Sequence, residues 1–448
     1  MARLAGPVVL AELGWMTMGM VDTIMVGHVS PAAMGAVSVG GVLFYTVAVI
    51  GMGMMLGLDT LVSQSFGAGD VMDCHRSLLN AVYLCVPVSL GLMGIVWSFQ
   101  PFLSSFGIDP EVLRNAIPFL RAIRWSIFPL LLYFAFRRYL QGMNLVKPVM
   151  FALISANLMN LAADWILVFG HFGAPAMGAE GSGWATCLSR IYMSSVLLGY
   201  IFYHERRFRT GWLETPLKPD LARIRRLIAL GLPAAMQLSF EVGVFAAATT
   251  LIARLGADSL AAHQVAMNAA SFTYMVPLGI GAAAAVRVGQ ALGRGDAAAA
   301  SRSGWTATLM GAGFMCCAGV VFVVAPGTVV RIYTPDPKVL KVGVSLLAVA
   351  AAFQLFDGIQ AVTTGALRGA GDTRTPMICH LLAYWGLGLP LGYLLCFRLG
   401  WGAVGLWAGL CLALIVIGSV LLAVWWRKVR SLARGRQGTS CSVSGGQS

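Results

Sequence analysis

Twelve apolar runs, each near the length needed to cross a bilayer, constrain this chain more than any other feature. A membrane-spanning helix needs about 20 apolar residues, and the runs fall at roughly 4–28, 33–64, 78–100, 113–136, 148–170, 181–203, 227–253, 260–290, 304–330, 342–367, 376–398 and 403–426. A bilayer interior offers no water to backbone N–H and C=O groups, so spanning segments must satisfy those groups internally, and helices do so. Composition agrees. Of the 448 residues 58% are apolar and only 11% are charged, against roughly 25% charged in soluble domains. The expectation is an all-α membrane protein with twelve transmembrane helices, its many Gly, Ala and Ser residues allowing close helix approach. The first run is too long for the apolar core of a signal peptide and no small-residue cleavage site follows it, so it reads as a retained span.

The net charge of +13 matters through its placement. Seven Lys or Arg lie between His204 and Arg226, and the residues after the twelfth run include Arg427, Lys428, Arg430, Arg434 and Arg436. Arg137, Arg138 and Lys147 follow the fourth run. With twelve spans these three segments share one side, and the positive-inside rule makes both termini cytoplasmic. Arg331, Lys338 and Lys341 run against the bias. No basic stripe is interleaved with stacking aromatics, so a nucleic-acid partner is not expected; the lipid bilayer is. Most of the nine cysteines lie in apolar stretches and none has a zinc spacing, so they read as small apolar residues.

Two stretches match at a constant offset of 226 positions: LVSQSFGAGD from Leu61 to Asp70, and RVGQALGRGD from Arg287 to Asp296. Gln64 falls on Gln290, Gly67 on Gly293, Gly69 on Gly295, Asp70 on Asp296, and Pro7 on Pro233. Self-similarity at a fixed period signals duplicated architecture. Six spans per copy insert both copies the same way up, which predicts two pseudo-symmetric six-helix lobes with parallel topology. The expected organisation is an N-terminal lobe over 1–203, a hinge-like cytoplasmic linker over 204–226, a C-terminal lobe over 227–426 and a basic tail over 427–448.

An ionisable group inside a bilayer costs at least a few kcal/mol, so each one asks for a function. Asp22, Asp164, Glu241 and Asp357 lie in the first, fifth, seventh and tenth runs, with Glu12 nearer the start of the first. Arg190 is the one basic residue expected well inside a span, and it cannot neutralise four carboxylates. Desolvated carboxyls hold protons more readily, and carboxylate oxygens also suit Na⁺, so the four acids are candidate cation-coupling residues. The duplication does not carry them: Asp22 falls opposite Ala248, and Glu241 opposite Trp15. Asn160 and Asn157 share a helix face with Asp164 and could form a polar cavity or glue helices. Trp15, Met236 and Phe240 are candidates for an adaptable apolar pocket.

No Walker loop, HExxH, GxSxG or calcium loop occurs, nor an arginine ladder or potassium-type filter. Transport driven by an ion gradient or a partner, rather than catalysis, is the expectation. A flippase for a lipid-linked precursor is the alternative, weakened by the scarcity of basic residues within the spans. A membrane-embedded prenyltransferase would want paired Asp-rich motifs, which are absent.

VDTIMVG at Val21–Gly27, the QxxGxGD element at Gln64–Asp70, FEVGVFA at Phe240–Ala246, AAHQVAMN at Ala261–Asn268 and FQLFDGIQAVTTGALRGAGDTRTP at Phe353–Pro376 resemble the multidrug and toxic compound extrusion family over nearly the whole chain. The resemblance implies twelve helices in two lobes, acting as a monomer without a cofactor, and export of organic cations or drugs against inward Na⁺ or H⁺. It implies cation binding, with Na⁺ at Glu241 and Asp357. It implies coupling through Asp22 in both sodium- and proton-driven members, with Asp164 as the partner of Asp22 in the proton-linked ones. Gln264, within AAHQVAMN, joins Asn157 and Asn160 as a candidate cavity residue.

Overall fold

The computed structural model describes residues 1–101, 103 and 109–441, and the side chains of 2, 3, 213 and 433–441 lie outside that description. Among the described residues there is no strand. Twelve helical spans are long and apolar enough to cross a bilayer: Leu4–Gly27, Pro31–Gly67, Val71–Phe99, Pro110–Gly142, Lys147–Leu167, Ala179–Phe208, Leu221–Ala253, Ala257–Gly293, Ala297–Val324, Pro337–Gly369, Arg374–Arg398 and Gly402–Leu432. The last helix continues to Cys441; residues 442–448 of the expected tail lie outside the described residues.

The ninth span differs from its expected 304–330. It begins at Ala297, because the helix extends through a polar Ala- and Ser-rich turn that hydropathy does not register. It ends at Val324, where Ala325 leaves helical geometry (φ −130°, ψ 43°) and Pro326 opens a separate helix, Pro326–Tyr333. A proline ring clashes with the carbonyl four residues back and lacks the N–H, so it is at home in a first turn.

The repeated QxxGxGD element is a helix stop, a turn and a helix start. Gly69 (φ 82°) and Gly295 (φ 69°) take left-handed backbone, which costs little only for glycine. Asp70 Oδ1 then accepts the N–H of Asp73 at 2.9 Å, and Asp296 Oδ1 that of Ala299 at 3.0 Å. Each caps donors that a helix start leaves unpaired. The motif recurs because both copies need the same reversal.

The chain forms two compact units, Leu10–Ala235 and Met1–Val9 with Met236–Ser448. The cut points, Val9/Leu10 and Ala235/Met236, are themselves 226 positions apart. Each repeat's first helix therefore changes unit at the same register. Glycine makes room on both occasions. A Cβ on Gly53 would stand 2.4 Å from the Cα of Ala235, and one on Gly279 would stand 2.8 Å from the Cα of Val9. Gly53 and Gly279 are repeat equivalents, as are Val9 and Ala235.

These cut points lie inside helices, and the 204–226 segment falls within the Leu10–Ala235 unit. That segment is bound to the Leu10–Ala235 unit. His75 Nε2 donates to Thr210 O at 3.0 Å, the Asp220 N–H donates to Asn80 Oδ1 at 2.8 Å, and Arg223 bonds Ser77 at 2.9 Å and pairs with Asp73. Glu205 accepts the N–H groups of Thr210 (2.9 Å) and Gly211 (3.1 Å).

Candidate functional site: two carboxylate clusters

In the Leu10–Ala235 unit, Asp22 of the first span faces Asp164 of the fifth, with Asn160 and Ser182 bordering the pair. Asn160 precedes Asp164 by four residues, one turn, so both look the same way. Both are fully buried. Thr186 of the sixth span donates its hydroxyl to Asp22 Oδ2 at 2.9 Å. Asp22 Oδ1 and both oxygens of Asp164 have no donor in hydrogen-bonding geometry among the described residues. Two carboxylates that meet this way repel unless a proton or cation comes between them. Asp22 is thereby grouped with Asp164, in a different unit from Glu241 and Asp357.

Arg190 acts on Asp22 through its charge but not through a close ion pair. It donates to Ser126 Oγ and lies over the rings of Phe44 (4.7 Å) and Trp15 (6.0 Å), with no ion pair to either acid among the described residues. Trp15 itself stacks on Tyr133, ring centroids 6.3 Å apart. Nor is Arg190 the lone basic residue inside the bundle. The fourth span runs on to Gly142, which buries Arg137 and Arg138. Arg137 pairs with Glu12, and Arg138 lies 3.6 Å from Asp59. An apolar window stops at the first Arg. The helix continues because acids from the first and second spans compensate the buried charges. Glu12 is thus a packing acid, and so is Asp59, which sequence reasoning did not single out. Asn157 bridges helices, its Nδ2 donating to Gly14 O at 3.1 Å and Leu153 O at 2.9 Å.

In the other unit, Glu241 of the seventh span and Asp357 of the tenth converge on Gln360. Gln360 Nε2 lies 3.3 Å from Asp357 Oδ1 and 3.5 Å from Glu241 Oε1. Tyr274 of the eighth span donates its hydroxyl to the same Glu241 oxygen at 3.2 Å. His380 of the eleventh span donates from Nδ1 to Pro376 O at 2.8 Å, which leaves Nε2 facing Glu241 Oε2 at 3.7 Å and Gln237 Nε2 at 3.5 Å. Tyr384 stands one turn beyond His380, fully buried, its hydroxyl without a partner among the described residues. From Leu381 to Gly388 this span is wound as a π-helix, a geometry common at functional sites. Glu241 Oε2 and the Tyr384 hydroxyl are buried oxygens with no hydrogen-bond partner among the described residues. Oxygen donors of this kind suit a hard cation. Among the described residues no three His, Cys, Asp or Glu side chains gather to hold a metal ion, so the donor set is two acids supplemented by neutral oxygens.

Gln264 joins neither cluster. It is exposed, whereas its neighbour His263 is buried. His263 Nδ1 accepts from Trp407 Nε1 at 2.9 Å, and Nε2 meets the Thr249 hydroxyl at 2.9 Å. Those partners fix a neutral ring that packs helices. The residues missed in the sequence, Gln360, Tyr274, His380, Tyr384 and Thr186, are polar groups brought in by other turns or helices. Only Gln360 carried a local signal, three residues after Asp357 and so on the same helix face.

Comparison with known proteins agrees with this layout. The pattern of the MatE family matches residues 7–166 and 233–394, two copies that begin 226 positions apart. A protein of Mesorhizobium japonicum described as a probable multidrug resistance protein NorM is 36% identical over 439 residues, covering 95% of this chain and 93% of that one. The protein of the same description from Xanthomonas axonopodis pv. citri is 36% identical over 430 residues, covering 95% and 93%. Among solved structures, the eukaryotic MATE transporter AtDTX14 superposes with a TM-score of 0.83 at 22% identity, covering 96% of this chain and 97% of that one. The outward-facing conformation of a multidrug resistance MATE family transporter of the MOP superfamily gives 0.86 at 16% identity, covering 97% and 96%. With both copies of the family pattern matched in register with the internal repeat, the chain belongs to the MatE family.

Proposed function

We propose that the chain is a secondary multidrug exporter of the bacterial inner membrane, with both termini cytoplasmic, working as a monomer. It expels organic cations or drugs in exchange for inward Na⁺ or H⁺, by alternating access of its two lobes. The observation that carries this reading is a carboxylate pair in each unit, one acid buried (Asp164, Asp357) and one half-buried (Asp22, Glu241), whose oxygens outnumber their donors among the described residues. Intramembrane acids that lack a fixed counter-ion are the expected handles for a transported positive charge. Relatives described as multidrug resistance proteins support the substrate class.

The pairs divide the work. Asp22 and Asp164 face one another with Thr186 donating its hydroxyl to Asp22, an arrangement suited to a shared proton. Glu241 and Asp357 are bridged by an amide and ringed by neutral oxygens, an arrangement suited to a monovalent metal ion such as Na⁺. A flippase is disfavoured, since Arg137, Arg138 and Arg223 are engaged by acids.

The test is export of a fluorescent organic cation from vesicles holding the purified protein, with an imposed Na⁺ or H⁺ gradient. The reading expects export driven by at least one gradient and lost in Asp22→Asn and Asp357→Asn. Export that survives both substitutions would sink it.

A further inference from the structure

Gln360 is buried, yet it is neither a ligand-poor packing residue nor a simple helix-to-helix bond. Its amide NH₂ lies between two carboxylates from different helices, 3.3 Å from Asp357 Oδ1 and 3.5 Å from Glu241 Oε1. Chemistry fixes which end of the amide points there. A carbonyl oxygen facing two carboxylates would be repelled, whereas an NH₂ offers one hydrogen to each. Gln360 is also the one hydrogen-bond donor to Asp357 among the described residues. Its own oxygen is buried without a partner there. The side chain therefore spends its donors on the acids and leaves its acceptor unused.

We infer that Gln360 is a built-in stand-in for the coupling cation: its amide NH₂ occupies the space between Glu241 and Asp357 that a monovalent metal ion enters, and the two compete for it. This rests on reading the Glu241–Asp357 pair as a cation site. The lengths of the two bonds fit the role. Both are longer than an ordinary N–H to oxygen bond, so they soften the repulsion of the pair and are given up more readily than well-formed bonds. A partial positive charge shared over two hydrogens cannot cancel two carboxylates, so a full charge displaces it.

The consequence is a matter of differential stability. A ligand shifts an equilibrium by the difference in its affinity for the two states. Gln360 stabilises the cation-free state, so it lowers the apparent affinity and speeds release. An exporter that cycles needs release as much as capture. Were Gln360 instead a cation ligand or an interhelical bond, removing its amide would weaken cation binding or leave it unchanged. The sign of the change separates the readings.

The experiment uses the full chain in detergent. Its thermal unfolding midpoint is followed during titration with Na⁺, with choline chloride holding ionic strength constant. Gln360→Met keeps length and volume but has no donor, and Gln360→Leu is the second variant should the first fold poorly. The expected result is a half-saturating Na⁺ concentration lower by about threefold, the scale of a weak net hydrogen bond. In vesicles the half-saturating Na⁺ for export falls as well, while the maximal rate drops because release slows. Asp357→Asn removes the Na⁺ response. If the wild type responds and the Gln360 variants need as much Na⁺ or more, the stand-in role is overturned and the cation site stands. If the wild type shows no response to Na⁺, the cation reading of the pair falls and this inference falls with it.

Discussion

The Leu10–Ala235 unit brings its acids together from its first and fifth helices, Asp22 and Asp164. The unit built mainly from Met236 onward uses its first and fourth, Glu241 and Asp357. Glu241 stands at the repeat position of Trp15, seven residues before Asp22. Seven residues are two turns, about 10 Å along the same face of equivalent helices. The duplicated scaffold thus kept its turns, caps and glycine contacts while its charge moved along the helix. Buried counter-ions diverged too. Arg137 and Arg138 meet Glu12 and Asp59 in one unit. In the other, Leu238 stands at the position of Glu12, and a Cβ on Gly365 would stand 2.1 Å from Gly281 O. One unit holds these helices with ion pairs, the other with backbone contact. Shared backbone needs were retained in both copies, and chemistry was placed in each separately.

That contrast can be broken most sharply at the acids. Asp357→Asn and Asp22→Asn should each bring ion-driven export down to the level of protein-free vesicles, with folding retained by size-exclusion chromatography. Loss with only one of them would make a single unit sufficient. The next largest effect concerns stability. Arg137→Met leaves Glu12 buried and unpaired and should cost about 3–5 kcal/mol, read by stepwise SDS unfolding in mixed micelles. Combining it with Glu12→Leu should restore most of the loss, because the cost lies in the orphaned charge.

Smaller effects sharpen the symmetry. Gly53→Ala and Gly279→Ala each force a methyl against the backbone of the crossing helix, and should cost about 1–3 kcal/mol apiece in the same assay. A large loss at one and none at the other would mean the two crossings are not equivalent. Smallest are the caps: Asp70→Ala and Asp296→Ala should each cost about 1 kcal/mol, equal between the units.

The legible part of this molecule was the part set by periodicity and repeat. Twelve spans follow from apolar run length, and the two cut points, Val9/Leu10 and Ala235/Met236, share the 226-position offset of the repeat. What escaped was set by partners distant in sequence. Span four reads as ending before Arg137, because nothing local reveals that Glu12 and Asp59 will neutralise two arginines. The 204–226 segment reads only as a hinge-like linker, because the partners of its polar groups, His75, Asn80 and Asp73, come from more than a hundred residues away. The four acids were found because charge in an apolar run is visible. Their pairing was not, since Asp22 gains Asp164 only through the packing of the first span on the fifth. Gln264 read as a cavity residue from its motif, yet the buried, bonded member of that motif is His263.

Binding of radiolabelled sodium to the purified protein tests the division of labour most directly, comparing the wild type with Glu241→Gln and Asp22→Asn. The account predicts that Glu241→Gln abolishes sodium binding and that Asp22→Asn retains it at wild-type affinity. Sodium binding lost in Asp22→Asn, or kept in Glu241→Gln, would contradict it.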